Sequence, residues 1–222
     1  MPKLWESFSE WWDRNHPVPT YTPIPSPTLD DLSAFTRAYE TFRSEPYTLK
    51  RSDGTPQVLA GYGSANPEII ALAKAGKLTE ARARQEVDKR LKSDFDEWMR
   101  LVPNFQNLPP GVQLALVDTS YNGKGVRGTI ASSPKLMAMI NSGITDPQQL
   151  VTQMDHSKNA GGWLGVRSSA RRAMALGEYD WTSESVDKYG RHVVPGLNFG
   201  TEDWRTSPYY QKYGFGGRLK RK

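Results

Sequence analysis

Apolar residues recur at helical spacing along most of this 222-residue chain, broken by a proline-rich stretch, a turn-rich stretch and a scattered C-terminal tail. Leu4, Trp5, Phe8, Trp11 and Trp12 fall at i, i+1, i+4, i+7 and i+8, which predicts a short amphipathic helix over 1–15 with five large side chains on one face. Pro17, Pro19, Pro23 and Pro25 then deny both helix and ladder pairing, so 16–27 should run as a stiff extended spacer. The first helix is thus an arm on a tether. Thr28 can cap the next helix, with Asp30 and Asp31 in its first turn. Leu32, Phe35 and Tyr39 continue along one side to about Phe42, which puts Glu40 in the final turn.

Residues 44–64 change character. Pro46, Asp53-Gly54, Pro56 and Gly61-Tyr62-Gly63 punctuate short Tyr, Val and Leu pieces, the pattern of a small irregular β-hairpin. Helical spacing returns at 67–75, closed by Gly76, and at 79–99, where Val87, Leu91 and Phe95 recur every fourth residue. That longest helix is expected at the centre. Further helices are predicted at about 109–121, 134–142, 147–154 and 163–177, each opened or closed by Pro or Gly. From 179 onward Trp, Tyr, Gly and charges mix without period, and a non-helical extension to 222 is expected. The fold class this implies is α+β, a mainly helical domain over 28–178 with a small β-hairpin.

Charge and composition narrow the picture. The net charge of +5 sits mostly in residues 183–222, which hold eight Lys or Arg against four Asp or Glu. A basic tail can hold a protein near nucleic acid, anionic lipid or an acidic cell wall without choosing among them, and no groove-reading motif favours nucleic acid. No run of eighteen apolar residues occurs, so no membrane span is expected. Glu6, Glu10 and Asp13 interrupt the stretch where a secretory signal would need to be apolar. Cysteine is absent, which excludes disulfides, a thiolate nucleophile and thiolate-bound zinc. His16, His156 and His192 lack ligand spacing, so neither a metal nor another cofactor is expected.

The candidate chemistry lies between Glu40 and Gly63. Cleaving a glycosidic bond asks for a carboxylic acid to protonate the leaving oxygen and, in most mechanisms, for a second carboxylate. Glu40, at a helix end among Tyr39, Phe42 and Tyr47, has apolar neighbours of the kind that favour a proton-bearing carboxyl. Asp53, in the polar turn Ser52-Asp53-Gly54, would stay ionised, although Asp-Gly is also an ordinary turn dipeptide. Gly61 and Gly63 allow tight backbone geometry compatible with lining a cleft, and Tyr62 between them could offer a sugar-stacking face or fill the core. Asn122 could bind sugar, yet Asn-Gly most simply closes a helix.

In succession these residues resemble the phage endolysins of the T4 and lambdoid lysozyme type, glycoside hydrolase family 24. The resemblance begins with Glu40, Tyr47, Asp53, Gly61 and Gly63 in the order of the family's opening motif. LTEARARQEVDKRL resembles the family's helix after the sheet, and LPPGVQLALVDTSYNGKG its following segment, with Gln113, Ala115, Leu116, Tyr121, Asn122 and Gly123 in place. SSPKLMAMINSG and GWLGVRSSARRAMAL are similar to its last two motifs, so the likeness covers roughly residues 32–178.

That likeness implies a lysozyme-like fold and a muramidase that cuts the MurNAc–GlcNAc bond of bacterial peptidoglycan. Glu40 and Asp53 would be its catalytic residues, with Tyr47, Gly61, Tyr62, Gly63 and Asn122 binding substrate. Four departures stand out, one of them Ser64 where the family commonly has a His. A longer turn separates Tyr47 from Asp53, Leu59 occupies the place of a catalytic Thr, and Arg172 replaces a Glu of the closing helix. They leave open lytic transglycosylation, which needs mainly the Glu, and also a structural or wall-binding virion protein that has lost catalysis. The family implies synthesis in the host cytoplasm and action on the wall, after holin release or delivery from the virion, with virion proteins as candidate partners of the terminal arms.

Overall fold

The computed structural model describes residues 27–50, 54–123, 125–154 and 162–179, together with Trp181 and Lys212. The expected N-terminal arm, nearly all of the proline-rich spacer, most of the C-terminal extension and Asp53 lie outside the described residues. The rest forms a mainly helical α+β structure with a single two-stranded antiparallel sheet among the described residues.

Helix α1 spans Leu29–Tyr39. Thr28 and Asp31 close a reciprocal capping box, the Thr28 hydroxyl accepting from Asp31 N at 3.2 Å and the Asp31 carboxylate from Thr28 N at 2.7 Å. Its cap residue at the other end is Glu40, where the backbone turns extended and leads into the sheet. Strands β1 (Arg43–Lys50) and β2 (Pro56–Gly61) pair with Tyr47 opposite Leu59 and Thr48 opposite Val58, and the register is irregular between Arg43 and Tyr47.

Helix α2 (Pro67–Lys74) is capped by the Asn66 side chain and closed by Gly76 at φ 65, as its sequence suggests. Helix α3 (Glu80–Leu101) buries a single stripe of Ala83, Val87, Leu91 and Trp98. The centre belongs instead to α4 (Pro110–Asn122), whose buried residues include Val112, Leu114, Ala115, Leu116, Val117, Asp118, Ser120 and Tyr121. A helix buried nearly all round is a core helix, and the longer α3 packs against it. The Trp98 indole N–H donates to the Ser120 hydroxyl at 2.8 Å, which ties α3 to α4.

Short helices follow: α5 (Gly125–Ser132), which local spacing did not predict, α6 (Pro134–Asn141) and α7 (Pro147–Leu150), shorter than expected. Helix α8 (Gly162–Ala175) packs along α4. The core also runs past the expected boundary at 178, because Tyr179 is 2% exposed and meets the Phe35 ring edge-on at 5.2 Å. Among the described residues no helix is long and apolar enough to cross a membrane.

Two features of this packing have measurable consequences. A Cβ added at Gly111 would collide with the Met174 carbonyl oxygen, so the closeness of α4 and α8 depends on that glycine. Gly111→Ala is expected to lower the unfolding free energy by about 2–3 kcal/mol in urea titrations, the usual cost of overpacking a tight contact. On α3, the Asp94 Oδ2 atom is buried with no hydrogen-bond partner among the described residues. Burial pushes the Asp94 carboxyl up to about 6, with Arg90 opposing and Glu97 adding to the rise.

A carboxyl raised on folding binds more protons folded than unfolded, so Asp94 should cost stability as pH climbs from about 4 through about 6. Asp94→Asn is therefore expected to stabilise the protein by about 1–2 kcal/mol at pH 7 and negligibly at pH 4. Equal stabilisation at both pH values would refute that account.

Candidate functional site

Glu40 stands where α1 gives way to β1, and its side chain is 24% exposed. One of its oxygens, Oε1, accepts from Arg167 Nη1 at 2.5 Å, an arginine that α8 brings from the other end of the domain. The other oxygen, Oε2, faces Gly63 and the Tyr47 hydroxyl: a Cβ added at Gly63 would lie 3.6 Å from the first and 3.8 Å from the second. The structure thus brings three of the expected residues, Glu40, Tyr47 and Gly63, to one place. Beside them, Phe42, Arg43, Ser44, Glu45, Pro46 and Tyr47 line an open depression of about 330 Å³, in which the Arg43 guanidinium lies 4.3 Å from the centre of the Tyr47 ring.

The apolar setting expected for Glu40 is not what the fold provides. Arg167 is itself buried, and its Nε and Nη2 donate to the two oxygens of Asp118 at 2.9 and 2.7 Å. Arg171, one turn later on α8, donates from Nε to Asp118 Oδ2 at 2.6 Å. The Thr36 hydroxyl of α1 donates to Asp118 Oδ1 at 2.8 Å. Burial alone would push the Asp118 carboxyl up, but the two guanidinium groups overcome it and hold that carboxyl well below the usual carboxylate range. For Tyr47, burial raises the hydroxyl and the neighbouring Glu40 charge adds to it, so that hydroxyl keeps its proton and can donate.

Other expected site residues fall elsewhere. Gly61-Tyr62-Gly63 is a three-residue turn closed by Ala60 and Ser64, each donating its N–H to the other's carbonyl, at 3.0 and 2.9 Å. Both glycines are left-handed, at φ 63 and 79, and that handedness swings Tyr62 inward. Tyr62 is 1% exposed, its hydroxyl donates to Glu80 Oε1 at 2.5 Å and its carbonyl accepts from the Tyr121 hydroxyl at 2.9 Å, so it offers no face for stacking.

Gly61 points at Ala83 and Ile69, with which it lines a small pocket away from Glu40. Leu59 is buried opposite Tyr47 in the sheet and carries no hydroxyl. Asn122 is the exposed last residue of α4, where Gly123 ends the helix at φ −114 and not in the left-handed form that an Asn-Gly closure suggests. Asp53, the expected second carboxylate, lies outside the described residues.

Asp118, Arg167, Arg171 and Thr36 were not singled out from the sequence. A detectable sign existed for one of them: Asp118 interrupts the apolar run VQLALVDTSY, and a carboxylate buried in a core helix requires cationic partners. Among the described residues no group of three His, Asp or Glu side chains could hold a metal ion. What the arrangement can do is present one carboxyl oxygen to a solvent-reachable surface while a buried guanidinium fixes the other. No family model, curated protein or solved structure matches this chain.

Since Tyr62 belongs to the core, Tyr62→Phe should cost about 1 kcal/mol of stability in chemical unfolding, through its lost bond to Glu80. An unchanged unfolding midpoint would refute the anchoring of Tyr62 in the core.

Proposed function

We propose that the chain is a lysozyme-like muramidase of the phage type, which breaks the MurNAc–GlcNAc bond of peptidoglycan with Glu40 as general acid. The observation that carries this reading is the posture of Glu40: half-buried at the junction of α1 and the hairpin, with Oε1 held by Arg167 and Oε2 turned toward Gly63 and Tyr47. A general acid must meet the leaving oxygen from a fixed direction, and a carboxyl clamped on one side satisfies that requirement. The left-handed Gly63 carries no side chain there, so a glycan strand can approach Oε2 closely.

Leu59 favours one form of the chemistry. Without a hydroxyl at that position to orient water, attack by the sugar's own C6 hydroxyl becomes the more economical path. In that step the hydroxyl oxygen bonds to the anomeric carbon, the glycosidic bond breaks, the leaving oxygen takes the proton of Glu40, and the hydroxyl's own proton passes to the Glu40 carboxylate so formed. The product would be a 1,6-anhydro sugar. Hydrolysis would instead draw on Asp53 and water. The lysozyme-like fold, action on the wall after release or delivery from a virion, and virion proteins as partners of the terminal arms all belong to this same proposal.

A second reading rests on the same two residues. Glu40 is ion-paired and Leu59 is buried, which suits a lysozyme-fold protein that binds the wall or serves in a virion without cutting.

Zymography on purified peptidoglycan separates the two readings. Glu40→Gln is nearly isosteric and should remain folded, with some loss of stability from the broken ion pair to Arg167, while turnover per folded molecule falls about 10²–10⁴-fold, the range for a general acid. Product analysis should give anhydromuramic ends for transglycosylation and reducing muramic acid for hydrolysis. Failure of the wild-type chain to clear peptidoglycan, with sacculus binding retained, would replace the muramidase with the wall-binding protein.

A further inference from the structure

Thr36, Asp118, Arg167 and Glu40 form a closed ring. Thr36 lies in the last turn of α1 and Glu40 caps it, the Glu40 N–H donating to the Thr36 carbonyl at 3.1 Å. Thr36 holds Asp118 through its hydroxyl, Asp118 holds one edge of the Arg167 guanidinium through both oxygens, and the remaining Nη1 reaches Glu40 Oε1. A guanidinium is planar and its N–H directions are fixed, so fastening Nε and Nη2 to one carboxylate dictates where Nη1 points.

Charge makes the same argument. Arg167 faces two carboxylates, and Arg171 supplies the second cation, so that two positive and two negative charges balance where Asp118 is 0% exposed. Asp118 therefore retains Arg167 by its Nε–Nη2 edge, and Nη1 is the nitrogen that meets Glu40. With Asp118 changed to Asn, the charge that fastens that edge is gone and the guanidinium can turn relative to Glu40.

We propose that Asp118 is a positioning residue: by fastening one edge of Arg167, it fixes the direction from which Nη1 meets Glu40 Oε1 and so keeps Oε2 turned toward Gly63 and Tyr47. Its bearing on turnover rests on the muramidase reading above, but the ring is a property of the folded chain. The charged or titratable groups around Glu40 are Arg167 and Arg171 from α8, Asp118 and Tyr121 from α4 and Tyr47 from β1.

The test uses the full chain with ¹³C-labelled glutamate. The side-chain carboxyl resonance of Glu40, assigned by its loss in Glu40→Gln, is followed in wild type, Asp118→Asn, Arg167→Met and the double variant. Asp118→Asn is expected to displace the Glu40 resonance, and to displace nothing further once Arg167 is methionine, since the influence passes through that side chain. An unmoved resonance in folded Asp118→Asn, or the same displacement with and without Arg167, would overturn the proposal. Should Asp118→Asn not fold, Thr36→Val takes its place, because it removes only one donor to Asp118. A smaller displacement that disappears in the Arg167→Met background supports the ring, and none at all sinks it.

Where the wild type degrades peptidoglycan, Asp118→Asn should lower kcat about tenfold or more with KM within about twofold, and cost nothing further beside Arg167→Met. A purely structural Asp118 would lower the folded fraction and leave kcat per folded molecule unchanged. A wild type without lytic activity would end the muramidase reading and leave the resonance comparison intact.

Discussion

A carboxylate sealed inside a protein costs several kcal/mol unless cations and hydrogen bonds replace the water it has lost, and α4 carries such a group midway along the most buried helix described. Much of the architecture follows from meeting that demand. Helix α8 must dock so that Arg167 and Arg171, four residues apart and hence on one face, both reach Asp118, while α1 must present Thr36 from the opposite side. The closeness of α4 and α8 that Gly111 permits keeps the two arginines within reach. Three helices are thereby held in one arrangement by a handful of directional contacts, where apolar packing alone would tolerate several.

The hairpin supplies the other wall of the site by a different device. Two left-handed glycines turn the chain within three residues, and the side chain between them goes to the core, anchored by Glu80 at its hydroxyl and Tyr121 at its carbonyl. That anchoring leaves the bare Gly63 beside Glu40 and the Tyr47 hydroxyl. Rigid attachments on both sides, ionic from the helices and hydrogen-bonded from the hairpin, let one half-exposed carboxyl keep a defined direction.

Much of this was legible in the chain because it is local. The capping box at Thr28, the glycine closure at Gly76, the Pro-opened helices and the turn-rich hairpin each depend on residues within a few positions of one another. Helix α5 escaped notice since GVRGTIAS has two glycines and little helical preference, and the burial of Val126 and Thr129 accompanies its formation. The direction of Tyr62 depended on backbone handedness, which the letters Gly-Tyr-Gly permit without specifying. The ionic ring is a tertiary feature: Asp118 and Arg167 stand 49 positions apart, and no periodicity connects them. Of the candidate site, Glu40, Tyr47 and Gly63 could be found by eye, whereas the buried Asp118 that holds Arg167 could not.

The contact between Glu40 and Arg167 joins residues 127 positions apart. During synthesis, therefore, α1 and the hairpin leave the ribosome long before the arginine that completes them exists. Until α8 emerges, Asp118 has no guanidinium to neutralise it and must stay hydrated, which holds α4 out of its final burial. The domain is in this sense sealed from its carboxyl-terminal side: a ribosome stalled before α8 would release a polypeptide with every hairpin residue in place and no assembled site.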